Sequence, residues 1–228
     1  MLDSKPENAS RRLAIFDLDN TLLGGDSDHA WGEFLIAEGR VEANRHRARN
    51  DAFYADYQNG ALDIDAYLRF VLATVAGKTP AEIEPLLLRF VQQTIEPLRL
   101  PLADSLLDTH RARGDQLLII TATSEFITRP IADLLGVEAL LASRAELVEG
   151  RYSGAPSGTP CYREGKVERL GEWLADKNFS LEDACFYSDS HNDVALLSQV
   201  GEAVAVDPDP TLRAHAKALG WRITSLRN

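Results

Sequence analysis

Short apolar runs, each ended by polar residues, recur along the chain: Leu13-Ala14-Ile15-Phe16 before Asp17, Leu117-Leu118-Ile119-Ile120 before Thr121, residues 184–187 before Ser188, and residues 203–206. Unbroken runs of this length are what strands buried on both faces show. They predict strands over 12–16, at 117–121, 184–187 and 203–206, with shorter ones near Leu140 and Ile223. The stretches between them change to helical spacing. A helix is expected over 103–113, closed by Gly114. A second should be capped by Ser124, bent at Pro130 and stopped near Gly136. A third should end at Asp176, and a fourth should start at Asn192. Strands alternating with helices imply an α/β fold with a parallel, Rossmann-like sheet.

Residues 27–98 break the alternation. Ile64, Tyr67, Leu68, Val71, Leu72 and Val75 fall at helical spacing, and Thr79-Pro80-Ala81-Glu82 reads as a capping box. No strand interrupts this block, so an inserted, all-helical cap is expected, with Pro85 delaying or kinking its last helix. Residues 147–165 are rich in Gly, Pro and Ser and include Glu149-Gly150, which predicts a hairpin or flap. The expected partition is a polar, disordered tail over 1–10, an α/β core over 11–25 and 99–228, and the helical cap over 26–98.

Composition narrows the function classes. A chain of 228 residues can bury one substantial core with an insertion. The formal net charge of −11 argues against a general affinity for nucleic acid, which needs a clustered basic surface. No run approaches the roughly 20 apolar residues of a membrane span, and the first ten residues lack the apolar stretch of a secretory signal, so a cytoplasmic protein is expected. Two well-separated cysteines, Cys161 and Cys185, make a disulfide framework or thiolate metal site improbable. An acidic chain can still bind a phosphate, through a lysine, a helix N-terminus or a metal ion.

The candidate chemistry gathers at predicted strand ends and helix starts, the binding edge of a parallel sheet: Asp17 with Asp19, then Thr121, Lys166, and Asp189 with Asp193. A phosphate dianion repels a carboxylate, so attack by one requires a bridging divalent cation and a proton donor for the departing alkoxide. Two aspartates one residue apart in a loop could aim one carboxylate at phosphorus and the other at the leaving oxygen. Each cluster has a blander reading. Asp-rich turns follow many strands, Thr121 could cap a turn with Thr123 and Ser124, Lys166 could be solvated at a helix start, and Ser190-x-x-Asp193 matches a capping box. His191 fits loop surface or the substrate rim better than an oxygen-liganded metal site.

Taken in order, Phe16-Asp17-Leu18-Asp19-Asn20-Thr21-Leu22, Thr121, Lys166 and Tyr187-Ser188-Asp189-Ser190-His191-Asn192-Asp193 resemble the four motifs of the haloacid dehalogenase superfamily, in its phosphoserine-phosphatase-like branch. The resemblance runs from Arg12 to the C-terminus and departs at Ser188, where that family usually has glycine. It implies that Asp17 is the nucleophile and Asp19 the acid and base, and that Thr121, Lys166 and Asn192 bind phosphate. It implies Mg²⁺ held by Asp17, the Asp19 main-chain carbonyl and Asp189, with Asp193 supporting. The substrate would be a small phosphomonoester, with neither nucleic acid nor membrane as partner.

Asp26, Asp28 and His29 fall where that branch meets its substrate, and carboxylates there suit an ammonium group. The arginine that phosphoserine phosphatases use for a carboxylate aligns with Val71, with Arg69 nearest, so that partner is missing. The Asp26-Ser27-Asp28-His29-Ala30-Trp31 stretch resembles histidinol-phosphate phosphatases, which places histidinol phosphate first and phosphoserine second. A phosphorylated receiver domain combines similar residues but lacks a cap, and a silent binding protein of the same fold is the third reading.

Overall fold

The computed structural model describes residues 12–227, and the expected tail over 1–10 lies outside them. A seven-stranded sheet organises the chain, in the order β4-β3-β2-β1-β5-β6-β7. Its centre is β1 (Leu13–Phe16), flanked in parallel by β2 (Gln116–Ser124) and β5 (Cys185–Ser188). Beyond them lie β3 (Ala139–Val148) on one side and β6 (Glu202–Val206) and β7 (Arg222–Thr224) on the other, all parallel to their inner neighbours. Only β4 (Arg151–Ser157) runs antiparallel, pairing with β3.

The apolar runs form strands because both sheet faces are covered. Ala14, Phe16, Leu117, Ile119 and Val204 enter one apolar cluster, while their neighbours Leu13, Ile15, Leu118, Ile120 and Ala205 enter another. β3 continues past the expected Leu140 to Val148 because its outer half leaves the parallel sheet to pair with β4. Glu149 and Gly150 form the turn in the left-handed region, at φ 51° and 75°. This is the expected hairpin.

Four helices form the insertion that follows β1: α1 (Ser27–Ala37), α2 (Ala43–Gln58), α3 (Ile64–Leu72) and α4 (Pro80–Phe90). The Thr79 capping box forms in full at the start of α4. Pro85 neither delays nor ends that helix, which changes to a π turn only at Val91–Ile95 and then to a 3₁₀ turn at Glu96–Leu98. This block is not a detached lobe. Trp31 stacks on Phe34 and meets Phe90 edge-to-face, Phe34 and Phe90 are tilted against each other, and all three share the apolar cluster that contains Phe16. α2 is the exception, burying only His46 and Asn50.

The remaining helices are α5 (Pro101–Arg113), α6 (Glu125–Leu134), α7 (Glu164–Leu174), α8 (Val194–Leu197) and α9 (Pro210–Leu219). α5 ends on Gly114 in the left-handed region, as expected. Two expectations need correction. The helix expected to reach Asp176 stops at Leu174, and the one expected from Asn192 begins as a 3₁₀ turn over His191–Asp193 before the single turn of α8. Ser190 caps that 3₁₀ turn through the Asn192 N–H, and the side chain of Asp193 is committed elsewhere.

Candidate active site

The C-terminal ends of β1, β2 and β5 meet the N-terminus of α7 at one hollow, and α2 and α3 cover it. Asp17 follows β1 directly, with its N–H donating to the Tyr187 carbonyl at 2.9 Å. From across the hollow the Lys166 Nζ donates to Asp17 Oδ1 at 2.8 Å and reaches Asp193 at 2.8 Å. The lysine is 3% exposed, which removes the reading of a solvated residue at a helix start. Burial opposes its charge, but Asp17 and Asp193 more than offset this and its pKa rises. Gly165 lets the backbone reach this point, since a Cβ there would sit 2.1 Å from the Pro160 carbonyl oxygen.

Asp193 also accepts from the Ser188 hydroxyl at 2.7 Å, so Ser188 supplies a hydrogen bond at the position of the departure from the motif. Asp193 does not reach back to Ser190, and the full capping box is not formed. Asp189 accepts from the Thr21 hydroxyl at 3.1 Å and donates its own N–H to the same hydroxyl at 3.0 Å. Asp19 accepts from the Ser27 N–H at 2.6 Å, the Thr123 hydroxyl at 2.8 Å and, more weakly, the Thr121 hydroxyl at 3.4 Å.

Burial pushes the Asp17 carboxyl up to about 7, against the pull of Lys166, with Asp193 and Asp19 adding to the rise. Burial likewise lifts Asp19 to about 6, with Asp26 adding, and Asp189 well above the carboxylate range, with Asp17 and Asp193 adding. The cause is common: several carboxylates share one low-dielectric hollow with a single ammonium.

The hollow continues past Asp19 into a cavity bordered by Asp26, Asp28, Tyr54, Tyr57 and Tyr67, with Phe53, Leu62 and Ile64 as apolar wall. Among the described residues no lysine or arginine lines it. Asp26 caps α1, accepting from the His29 N–H at 2.7 Å. Asp28 is buried against Asp26 and Asp19. His29, expected beside the substrate, does not line the cavity. Its Nε2 lies 2.8 Å from Asp51 on α2, because the helical turn that sends Asp28 inward sends its neighbour outward. Val71 is buried in the apolar cluster and Arg69 is exposed, so neither offers a cation to the cavity.

Asn192 is buried and reaches the hollow's rim. Its amide accepts from Tyr162 and Arg163 and donates to the Tyr57 carbonyl. Sequence reasoning passed over Thr123, Tyr57, Tyr67 and Arg163. Thr123 was considered only as a turn residue, and the other three carry no local signal that places them here.

The sequence pattern of the haloacid dehalogenase-like hydrolase family matches residues 14–198. The chain belongs to that family. The members most similar to it include a histidinol-phosphatase of Neisseria meningitidis, 43% identical over 95% of this chain and 100% of the relative. A phosphoserine phosphatase of Mycobacterium tuberculosis, SerB1, is 32% identical over 99% of this chain and 74% of the relative.

Among solved structures, a protein of unknown function from Bordetella pertussis superposes with a TM-score of 0.89 at 41% identity, covering 96% of this chain and 100% of that one. A substrate-bound phosphoserine phosphatase superposes with a TM-score of 0.71 at 17% identity, covering 97% and 96%, which shows a common fold. The expected enzyme class, a phosphoric monoester hydrolase of the haloacid dehalogenase type, stands on this kinship. A receiver domain does not account for α1 to α4.

Proposed function

We propose that the chain hydrolyses a small amino-alcohol phosphate, histidinol phosphate before phosphoserine, through a phosphorylated Asp17. The observation that carries this reading is the Lys166 ammonium held between Asp17 and Asp193, with the Asp19 carboxyl opening into the same hollow. In the first half-reaction an Asp17 carboxylate oxygen bonds to phosphorus as the ester oxygen leaves, and Asp19 gives that oxygen its proton. In the second, water attacks phosphorus, Asp19 takes the water proton, and the aspartyl–phosphorus bond breaks to free inorganic phosphate. Lys166 keeps Asp17 ionised for attack. Thr121 and Asn192 would donate to phosphoryl oxygens on giving up their present acceptors, Asp19 for Thr121 and the Tyr57 carbonyl for Asn192, while Ser27 and Thr123 aim Asp19.

The residues fit Mg²⁺. Their donors are all oxygen, and the raised carboxyls mark a local shortage of positive charge. Among the described residues no three His, Cys, Asp or Glu side chains form a ready cage, which suits an ion that keeps several waters. Asp17, Asp189 and the Asp19 main-chain carbonyl would hold it, with Thr21 and Asp193 steadying the carboxylates. When bound, it supplies charge neutralisation between nucleophile and phosphate.

The block over 26–98 acts in this reading as a cap. The cavity volume beneath it is about 30 Å³, and in this reading α2 and α3 move to admit the substrate. A cavity with carboxylates and no lysine or arginine suits a substrate bearing positive charge and no carboxylate, which favours histidinol phosphate. Phosphoserine stays as the second reading because of the kinship with phosphoserine phosphatases. Activity in the cytoplasm belongs to the same proposal; among the described residues no helix is long and apolar enough to cross a membrane.

Hydrolysis of p-nitrophenyl phosphate by wild type with Mg²⁺, lost in EDTA and in Asp17→Asn, is the expected result. Metal-independent turnover, or a fully active Asp17→Asn, overturns the reaction. Higher kcat/KM for phosphoserine than for histidinol phosphate overturns the substrate order alone.

A further inference from the structure

Asp28 stands apart among the carboxylates of the site. It is 3% exposed, it lines the cavity, and among the described residues its Oδ1 has no hydrogen-bond donor. Burial, with Asp26 and Asp19 adding, pushes the Asp28 carboxyl well above the carboxylate range; the hydroxyls of Tyr67 and Thr123 pull the other way, yet neither pairs with Oδ1. Buried carboxylate oxygens are normally paired, since an unpaired one forfeits its hydration without return. The other acids have work already: Asp17 and Asp193 hold Lys166, Asp19 is aimed by Ser27 and Thr123, Asp189 is held by Thr21, and Asp26 caps α1.

The surroundings of Asp28 select the missing donor. Asp26 already accepts the His29 N–H, whereas among the described residues nothing donates to Asp28 Oδ1. The cavity that both acids line has an aromatic and apolar wall that includes Phe53, Ile64 and Tyr67. Such a wall suits a planar ring, and aromatic faces beside a carboxylate favour one that can carry positive charge.

We infer that Asp28 is the specificity-determining residue, its Oδ1 accepting an N–H from a heteroaromatic ring of the substrate, while Asp26 takes the ammonium. This rests on the phosphatase reading above and goes beyond it by separating the tasks of the two acids. A ring lacking an N–H leaves Oδ1 buried and unpaired, which is how a hydrogen-bonding site rejects an isostere.

The test compares kcat/KM for histidinol phosphate and p-nitrophenyl phosphate, both with Mg²⁺, in wild type and Asp28→Asn. Asn keeps an acceptor oxygen but removes the carboxylate's charge, so a charge-assisted bond becomes a neutral one and the preference for histidinol phosphate should fall by about 10-fold, mainly through KM. A preference changed by less than about 3-fold overturns the assignment, being smaller than a charge-assisted hydrogen bond produces. If wild type hydrolyses neither ester, the phosphatase reading has failed, and this one with it.

Should Asp28→Asn not fold, competition in wild type decides. Histidinol should inhibit p-nitrophenyl phosphate hydrolysis about 10-fold better than phenylalaninol, which keeps the ammonium and a flat ring but has no ring N–H. Equal inhibition by the two overturns the proposal.

Discussion

Lys166 is the residue on which the site's electrostatics turn, because its ammonium is buried between two carboxylates. Replacing it leaves Asp17 and Asp193 facing each other without a counter-charge. Lys166→Met should therefore lose about 3 kcal/mol of stability to urea in EDTA, as broken buried pairs do, as well as its turnover. A loss under about 1 kcal/mol, the range of exposed pairs, would contradict the arrangement. The two cysteines give a pH prediction. Burial pushes the Cys161 thiol up to about 12 and Cys185 to about 11, above the ordinary 9.0. Their folded-state pKa values are raised, so their contribution to stability is complete below about pH 9 and is lost as pH climbs toward 11 to 12. Alkaline unfolding curves should show this decline, and at pH 8 both thiols should resist a disulfide reagent until denaturant is added. At this scale the acids and Lys166 were legible because their spacing is local and their order is distinctive. Thr123, Tyr67 and Arg163 were not, because their importance comes from contacts across the fold.

Among the elements, α2 is the one that controls access in the proposed reading. α1 and α4 are rooted in the apolar cluster through Trp31, Phe34 and Phe90, whereas α2 is largely polar and carries Tyr54 and Tyr57 over the cavity. Its C-terminal end is tied to the core by two donors: Arg163 to the Gly60 carbonyl and Asn192 to the Tyr57 carbonyl at 3.2 Å. Gly60 is in the left-handed region at φ 67°, which favours glycine, and a Cβ there would sit 2.8 Å from the side-chain ends of both Arg163 and His191. Arg163 itself is held at φ 51°, an uncommon conformation for a side-chain-bearing residue, just before α7. Arg163→Ala should raise KM roughly 5-fold and speed amide exchange in α2 while leaving exchange in α4 unchanged. Equal exchange in α2 before and after the substitution would show that the tie does not hold the cap. The sheet strands and the four-helix insertion could be read from apolar spacing. The end of α7 and the 3₁₀ start at His191 could not, because single hydrogen bonds set them and no periodicity encodes them.

For the whole molecule, the parallel order β2-β1-β5 explains why residues more than 170 positions apart cooperate. Adjacent strands pointing the same way deliver Asp17, Thr121 and Asp189 to one edge, and the crossover into α7 adds Lys166. The net charge of −11 is consistent with this, since the acids concentrated at that edge are the ones a metal ion and a cationic substrate would neutralise. The account depends on Asp17 becoming covalently phosphorylated during turnover. Rapid acid quench with saturating substrate and Mg²⁺, followed by borohydride reduction and peptide mass analysis, tests this directly. The expected result is homoserine at position 17 alone, absent without substrate and absent in Asp17→Asn. A turning-over enzyme that yields no reduced residue, or yields one at another aspartate, would contradict it.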